Sequence, residues 1–255
     1  MSIYHRFADI YQRGPYVRFS QKIAESVLPE YLEFLDFHPV DLLDIACGEG
    51  SFAVAMAECG YRVTGVDQSE EMIGLARERA QTAGVSVRFE VEDMRDLRFT
   101  GEFDLVTCFF DSMNYLLTVK DLQDAIRCAF EALRPGGYYI FDMNTIYGLA
   151  VDWMRERTYV QNAADDFIEY HQHEFDYENL VASLEITIFK QRGELWERIT
   201  ETHHERGYPV ADLEFLLTHT GFDVIGVYGS LNKRSELSTI SPRVFIVAKK
   251  PEPGA

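Results

Sequence analysis

The sequence predicts an α/β fold, a doubly wound and mostly parallel sheet carrying an inserted antiparallel β-meander. Two changes of pattern predict it. Between Val40 and Met143, short apolar runs alternate with amphipathic stretches, as buried parallel strands and their crossover helices do. Beyond Asn144 the period becomes two, and three long alternating runs follow one another: Phe167–Tyr177, Leu180–Gln191 and Glu194–Arg206. A third observation sets the scale: 255 residues at 47% apolar and 13% aromatic are enough to build a full core.

The first 38 residues hold an aromatic-rich segment and a helix broken or restarted at Pro29. Five strands are expected at Val40–Ala46, Tyr61–Val66, Val85–Val91, Phe103–Phe110 and Tyr138–Met143. One connecting helix has Ser69 as N-cap, Glu70 and Glu71 in its positive first turn, and Gly84 past its end. Another opens with Thr118 and Asp121 at capping-box spacing and closes before Pro135-Gly136-Gly137. Tight turns are expected at Glu178-Asn179 and Arg192-Gly193, which would join the three long runs as a meander. A last helix follows, with Pro209 in its first turn and Gly221 past its end, and strands Phe222–Tyr228 and Arg243–Lys249 complete the sheet. This divides the chain into a cover (1–38), a core (39–150 and 207–250), an insertion (151–206) and a flexible tail (251–255).

Charge narrows the partners. Against 24 Lys and Arg stand 42 Asp and Glu, a net −18 with no basic run, so nucleic acid and anionic membranes are expected to be repelled. No apolar stretch is long enough for a signal peptide or a membrane span. The four cysteines, Cys47, Cys59, Cys108 and Cys128, show neither zinc spacing nor a disulfide framework, which points to the cytoplasm.

The first strand runs into Asp44-Ile-Ala46-Cys47-Gly48-Glu-Gly50. Two glycines allow a sharp turn and a ligand lying against the backbone. Asp67 ends the second strand, where a carboxylate can accept two ribose hydroxyls. That spacing also fits a nicotinamide or flavin site. Three features oppose it: Asp44 would repel a pyrophosphate but suits an ammonium or sulfonium, Glu92-Asp93-Met94 offers an acid beside an apolar thioether for an adenine, and no second mononucleotide half follows the fifth strand.

Asp44-x-x-x-Gly48-x-Gly50, Asp67-Gln68-Ser69-x-x-Met72, Glu92-Asp93-Met94 and the Pro135-Gly136-Gly137 turn together resemble the class I S-adenosylmethionine-dependent methyltransferases, over residues 40–145. The resemblance implies a seven-stranded, Rossmann-like sheet whose last strand lies antiparallel between two neighbours. It implies that Asp44 and the 46–50 loop, with Ala46, Gly48 and Gly50, contact the methionine part of S-adenosylmethionine or of its product S-adenosylhomocysteine. Asp67 would then hold the ribose, Gln68 and Met94 flank the adenine, Asp93 take its amine, and Phe109 lie by the methyl group. The N-terminal segment and the meander are similar to the small-molecule branch that includes amino-sugar N-methyltransferases and glycine N-methyltransferase-like enzymes.

Methyl transfer from a sulfonium needs positioning and exclusion of water, so the lack of a catalytic triad is no objection. Tyr11 and Tyr16 of the cover, with Asp111 and Asn114 after the fourth strand, are the catalytic candidates; Tyr4 of the cover, Tyr115 after the fourth strand, and Asn144 and Tyr147 after the fifth are further candidates around the methyl position. The expected substrate is a small molecule, methylated at nitrogen ahead of oxygen. The alternatives are an NAD(P)-dependent oxidoreductase and a non-catalytic binding or dimerisation module, and the chain could be a monomer or a homodimer. No metal is expected, since His171, His173 and His203 read as solvated or cross-strand-paired. Residues 158–206 carry 11 acids against four Lys and Arg, which fits either an acidic lid for a cationic or neutral acceptor or a solubilising outer face.

Overall fold

The computed structural model describes residues 16–231 and 233–254, and the side chains from Arg18 onward. Tyr4, Tyr11, the side chain of Tyr16 and the last residue of the tail lie outside that description.

The first described helical segment is a continuous run of α1 (Tyr16–Lys22), a π-type turn at Ile23–Val27 and α2 (Leu28–Phe34), with Pro29 just after the π-type turn. The sheet then alternates with helices: β1 (Asp41–Ile45), α3 (Ser51–Glu58), β2 (Arg62–Asp67), α4 (Glu70–Ala83), β3 (Arg88–Val91), β4 (Phe103–Cys108), α5 (Val119–Ala132) and β5 (Leu133–Asn144). The expected caps are in place. Ser69 Oγ accepts from Met72 N, Thr118 Oγ1 accepts from Asp121 N, and Gly84 ends α4 in the left-handed conformation.

After two short helical turns come β6 (Thr158–Ala164), β7 (Phe167–Asp176), β8 (Val181–Arg192) and β9 (Leu195–Arg206), an antiparallel sheet in that order. The insertion thus has four strands rather than three. The chain returns through α6 (Val210–Thr220), β10 (Asp223–Ser230), β11 (Ser235–Glu236) and β12 (Arg243–Lys249).

The main sheet has the order β11-β10-β12-β5-β4-β1-β2-β3, with β1 to β5 parallel and β12 antiparallel between β5 and β10. Seven of its strands are those expected; the eighth is the two-residue β11 at the edge. One face packs on α1 to α4 through Leu28, Tyr31, Leu42, Phe52, Ile73 and Leu105. The other packs on α5 and α6 through Leu43, Val106, Leu122, Ile126, Leu213 and Leu217. Successive strands run outward in opposite directions from β1 and β4, so the crevice at their carboxyl ends is where such sheets bind ligands.

Gly50 caps α3 at φ +82°, and an added Cβ would sit 2.8 Å from the Ala76 Cβ and 3.2 Å from the Phe89 ring. Gly50→Ala is therefore expected to destabilise the fold by about 1–3 kcal/mol through strain and overpacking, measured as a shift of the urea midpoint.

Candidate active site

The loops after β1, β2, β3 and β4 enclose a cavity of about 310 Å³. Eight of the nine predicted cofactor residues line it: Asp44, Ala46, Gly48, Asp67, Gln68, Asp93, Met94 and Phe109. Gly50 does not; it stands behind the loop, where its missing side chain lets α3 pack against α4.

Asp67 builds the loop as well as facing the cavity. One oxygen accepts from Gly48 N (3.0 Å) and the other from Ser69 N (2.9 Å), so the β1 loop and the start of α4 are held by one carboxylate. Burial raises its pKa, and those two amide hydrogen bonds oppose the rise. Ala46 (φ 56°) and Gly48 (φ 55°) turn the backbone through the left-handed region, and nothing lies within 4 Å of where a Gly48 Cβ would stand. The Glu49 side chain turns away from the loop to pair with Arg79 and Ser51, tying the loop to its neighbouring helices.

Asp44 lies deepest. Thr107 Oγ1 donates to Oδ1 (3.1 Å), while Oδ2 is buried with no hydrogen-bond partner. Burial first, then the nearby charges of Asp67 and Glu49, push its pKa up to about 8. An orphan carboxylate oxygen at the end of a cavity costs free energy unless a ligand donor meets it. At the other end both Asp93 oxygens meet the Arg95 guanidinium, which also reaches Asp121 and holds the Asp93 carboxyl below the usual carboxylate range. Phe109 packs edge-on to Phe52, ring centroids 5.3 Å apart.

A second cavity, about 530 Å³, opens between the core and the insertion and shares Phe110 and Tyr115 with the first. Its floor is Asp111, Arg243 and Glu205; its walls include Trp153, Tyr159, His171, His173 and His203. Phe110 (φ 63°) and Asp111 (φ 54°) are consecutive left-handed residues, rare outside glycine. Both amides donate to the buried Asp142 carboxylate, which Arg243 neutralises while also binding Asp111.

Of the catalytic candidates, Asp111 faces this chamber. Asn114 does not: its amide nitrogen donates to the carbonyls of Asn144 (3.0 Å) and Arg206 (2.9 Å), and its oxygen accepts from Asn144 N (2.8 Å). It is a backbone staple between β5 and β9. Tyr11 lies outside the described residues, and Tyr16 opens α1 with its side chain undescribed. The same helix brings Ser20 to the first cavity and Phe19 to within 5.1 Å of the Phe110 ring.

Sequence reasoning reached Asp111 and Tyr115 of this chamber but not the rest of its lining. His171, His173 and His203 are buried rather than solvated, on the inner face of the insertion. His171 Nε2 meets Glu169 Oε1 at 2.7 Å, Tyr115 Oη meets His203 Nδ1 at 3.2 Å, and the His173 ring stacks on Tyr159. Burial, then the neighbouring His171, lowers His173 to about 4; the same causes, with His204 adding, lower His203 to about 4. Both are uncharged at neutral pH. Among the described residues no three His, Cys, Asp or Glu side chains form a metal-ligand set, and no helix is long and apolar enough to cross a membrane.

A family model described as a methyltransferase domain matches residues 42–137. The chain is 32% identical over 254 residues to YqeM of Bacillus subtilis (strain 168), which bears a methyltransferase name, and the match spans 97% of each chain. The crystal structure of an S-adenosylmethionine-dependent methyltransferase from Clostridium acetobutylicum is similar with a TM-score of 0.84 at 26% identity, over 98% of this chain and 100% of that one. The sugar N-methyltransferase KedS8 from a Streptoalloteichus species has a TM-score of 0.74 at 17% identity, over 96% and 92% of the two chains, a likeness of fold.

Proposed function

The chain belongs to the S-adenosylmethionine-dependent methyltransferases, and from that premise we propose that it methylates an amine nitrogen on a small acceptor, an amino-sugar being the model, held in the second chamber. The observation that carries this is the meeting of two cavities at Phe110 and Tyr115, one ending in the orphan oxygen of Asp44 and the other walled by carboxylates and uncharged histidines. The activity named for KedS8, a sugar N-methyltransferase of similar fold, agrees with it.

The first cavity fits S-adenosylmethionine by the chemistry of its donors and acceptors. Asp44 Oδ2 is placed for the ammonium of the methionine part, and Asp67 for the ribose hydroxyls in addition to its two amides. Gln68 and Met94 would flank the adenine, with Asp93, backed by Arg95, to take its amine. When bound, the group supplies an electrophilic methyl: the N–C bond forms as the C–S bond breaks with its electron pair left on sulfur, and the methylated nitrogen then sheds a proton. The protein's part is to align and to keep dry. Phe110 and Tyr115 stand where the chambers meet, and Asp111 lies beside the acceptor. Asn114 holds the chamber wall in place.

With His173 and His203 uncharged at neutral pH, the chamber lining carries four carboxyls, Asp111, Asp152, Glu156 and Glu205, against two guanidiniums, Arg155 and Arg243, so it takes up added positive charge more readily than added negative charge. An amine is accommodated there at less cost than an anionic acceptor.

A thermal-shift comparison tests the cofactor assignment. S-adenosylhomocysteine at about 100 times its Kd should stabilise the protein by roughly 2.7 kcal/mol, and NAD should not. Asp67→Ala is expected to remove most of that shift; an unchanged shift would contradict the ribose assignment. An acceptor screen over ring amines and their alcohol counterparts tests the nitrogen, with turnover of the alcohols alone counting against it.

A further inference from the structure

We infer that Glu205 is the anchor for the acceptor's ammonium group and the recipient of its proton, a role that rests on the amine acceptor proposed above. Glu205 lies on β9 opposite Ala182, 3% exposed, on the floor of the second chamber. The Asn144 side-chain amide donates to Asp111 Oδ2 (2.8 Å) and to Glu205 Oε2 (2.9 Å), so a single NH₂ group draws two carboxyls together. The Arg243 guanidinium joins Asp111 and Asp142. Three buried carboxyls thus surround one fixed cation, and the site is complete only with further positive charge, either a proton or a bound cation.

The groups facing Glu205 assign that proton. Burial and the Asp111 charge hold the Glu205 carboxyl well above its ordinary range, while Asn144 and Arg243 oppose the rise less strongly. Asp142 stands behind Asp111, paired with Arg243. His203 on the same strand and His173 on β7 are uncharged, so neither supplies the missing positive charge.

An ammonium entering the chamber replaces the proton on Glu205. The carboxyl becomes a carboxylate paired with R–NH₃⁺, and one proton leaves to solvent. Before transfer, one N–H proton passes back to the Glu205 oxygen, freeing the nitrogen lone pair. No other reactant is required.

Cyclohexylamine and cyclohexanol, a ring with and without the amine, serve as probes. Each is titrated calorimetrically into the full chain saturated with S-adenosylhomocysteine, in two buffers of different ionisation heat. The amine should release about one proton per molecule bound at neutral pH, and the alcohol none. Glu205→Gln keeps the hydrogen bond from Asn144 and should retain affinity for S-adenosylhomocysteine, but should bind the amine at least about tenfold more weakly with no proton release. Glu205→Asp should restore the release, a readout that a merely structural role would not move. The assignment is overturned by an amine that does not bind the wild type or binds without proton release, or by equal release in Glu205→Gln. If the alcohol binds about tenfold or more tightly than the amine, the amine acceptor itself is wrong and Glu205 loses this role with it. Amine binding with unchanged release in Glu205→Gln removes the Glu205 assignment alone.

Discussion

Asp44→Asn is expected to weaken S-adenosylhomocysteine binding by about 10- to 100-fold and, at the same time, to raise the melting temperature of the ligand-free protein. The first effect follows from replacing a charge-assisted hydrogen bond, worth about 1.5–3 kcal/mol, by a neutral one. The second follows from linkage. The folded carboxyl titrates at about 8 and the unfolded one near its ordinary 3.8, so the native state holds the extra proton between those values. Stability contributed at this position is therefore greatest below the unfolded pKa and falls as the pH rises toward 8. An asparagine carries no such penalty. In the wild type, affinity should climb from neutral pH toward 8 as the carboxylate forms, and that slope should vanish in Asp44→Asn. Calorimetric titration across this range, with melting curves of the free proteins, measures both. A variant that binds as tightly as the wild type would remove Asp44 from the site.

Arg243→Leu should be the most damaging single change to the fold around the second chamber. The guanidinium neutralises Asp142 and Asp111, whose side chains are nearly or wholly buried, and its loss leaves like charges facing each other. Breaking a buried pair from one side costs about 3–5 kcal/mol, which corresponds to a fall in Tm of roughly 6–20 °C for a chain of this size. Acidification should narrow the deficit, because protonating the two carboxyls removes the charge left behind. Asp142 also accepts from the strained Phe110 and Asp111 amides, so methyl transfer should fall even at temperatures where the variant is folded. Melting curves over a pH series and an activity assay below Tm check both effects.

The cofactor side of the molecule was legible because its chemistry sits at strand ends. Asp44, Gly48 and Asp67 are fixed in space by the alternation of β1, α3 and β2, and that alternation is written in the apolar runs. The insertion was not legible in the same way. Two-residue periodicity showed that His171 and His173 share a face, but not which face is buried. The usual cue is mixed here: Ile168, Phe189 and Trp196 are 39%, 39% and 47% exposed, while the buried face carries Glu169, His171 and His203 beside Phe167, Ile186, Ile188 and Ile199. β6 was missed because Thr158–Ala164 lacks strict alternation and has mixed burial. Arg243 gave no signal, since its partners Asp111 and Asp142 lie more than a hundred residues away in sequence. For Asn114, a polar residue after a strand looks the same whether it faces a ligand or staples backbone.

That staple has a consequence for how the two halves of the enzyme vary. The Asn114 side chain holds the chain where it leaves the main sheet, at Asn144, and where it returns, at Arg206. Both ends of the inserted sheet are thereby closed at one point on the core, and the entropy of closing a loop grows only slowly with its length. On the function proposed above, changes in the length or inward-facing side chains of the segment between are expected to leave the loops after β1 and β2 in place. On that function, acceptor preference is expected to change there with the other half of the fold intact.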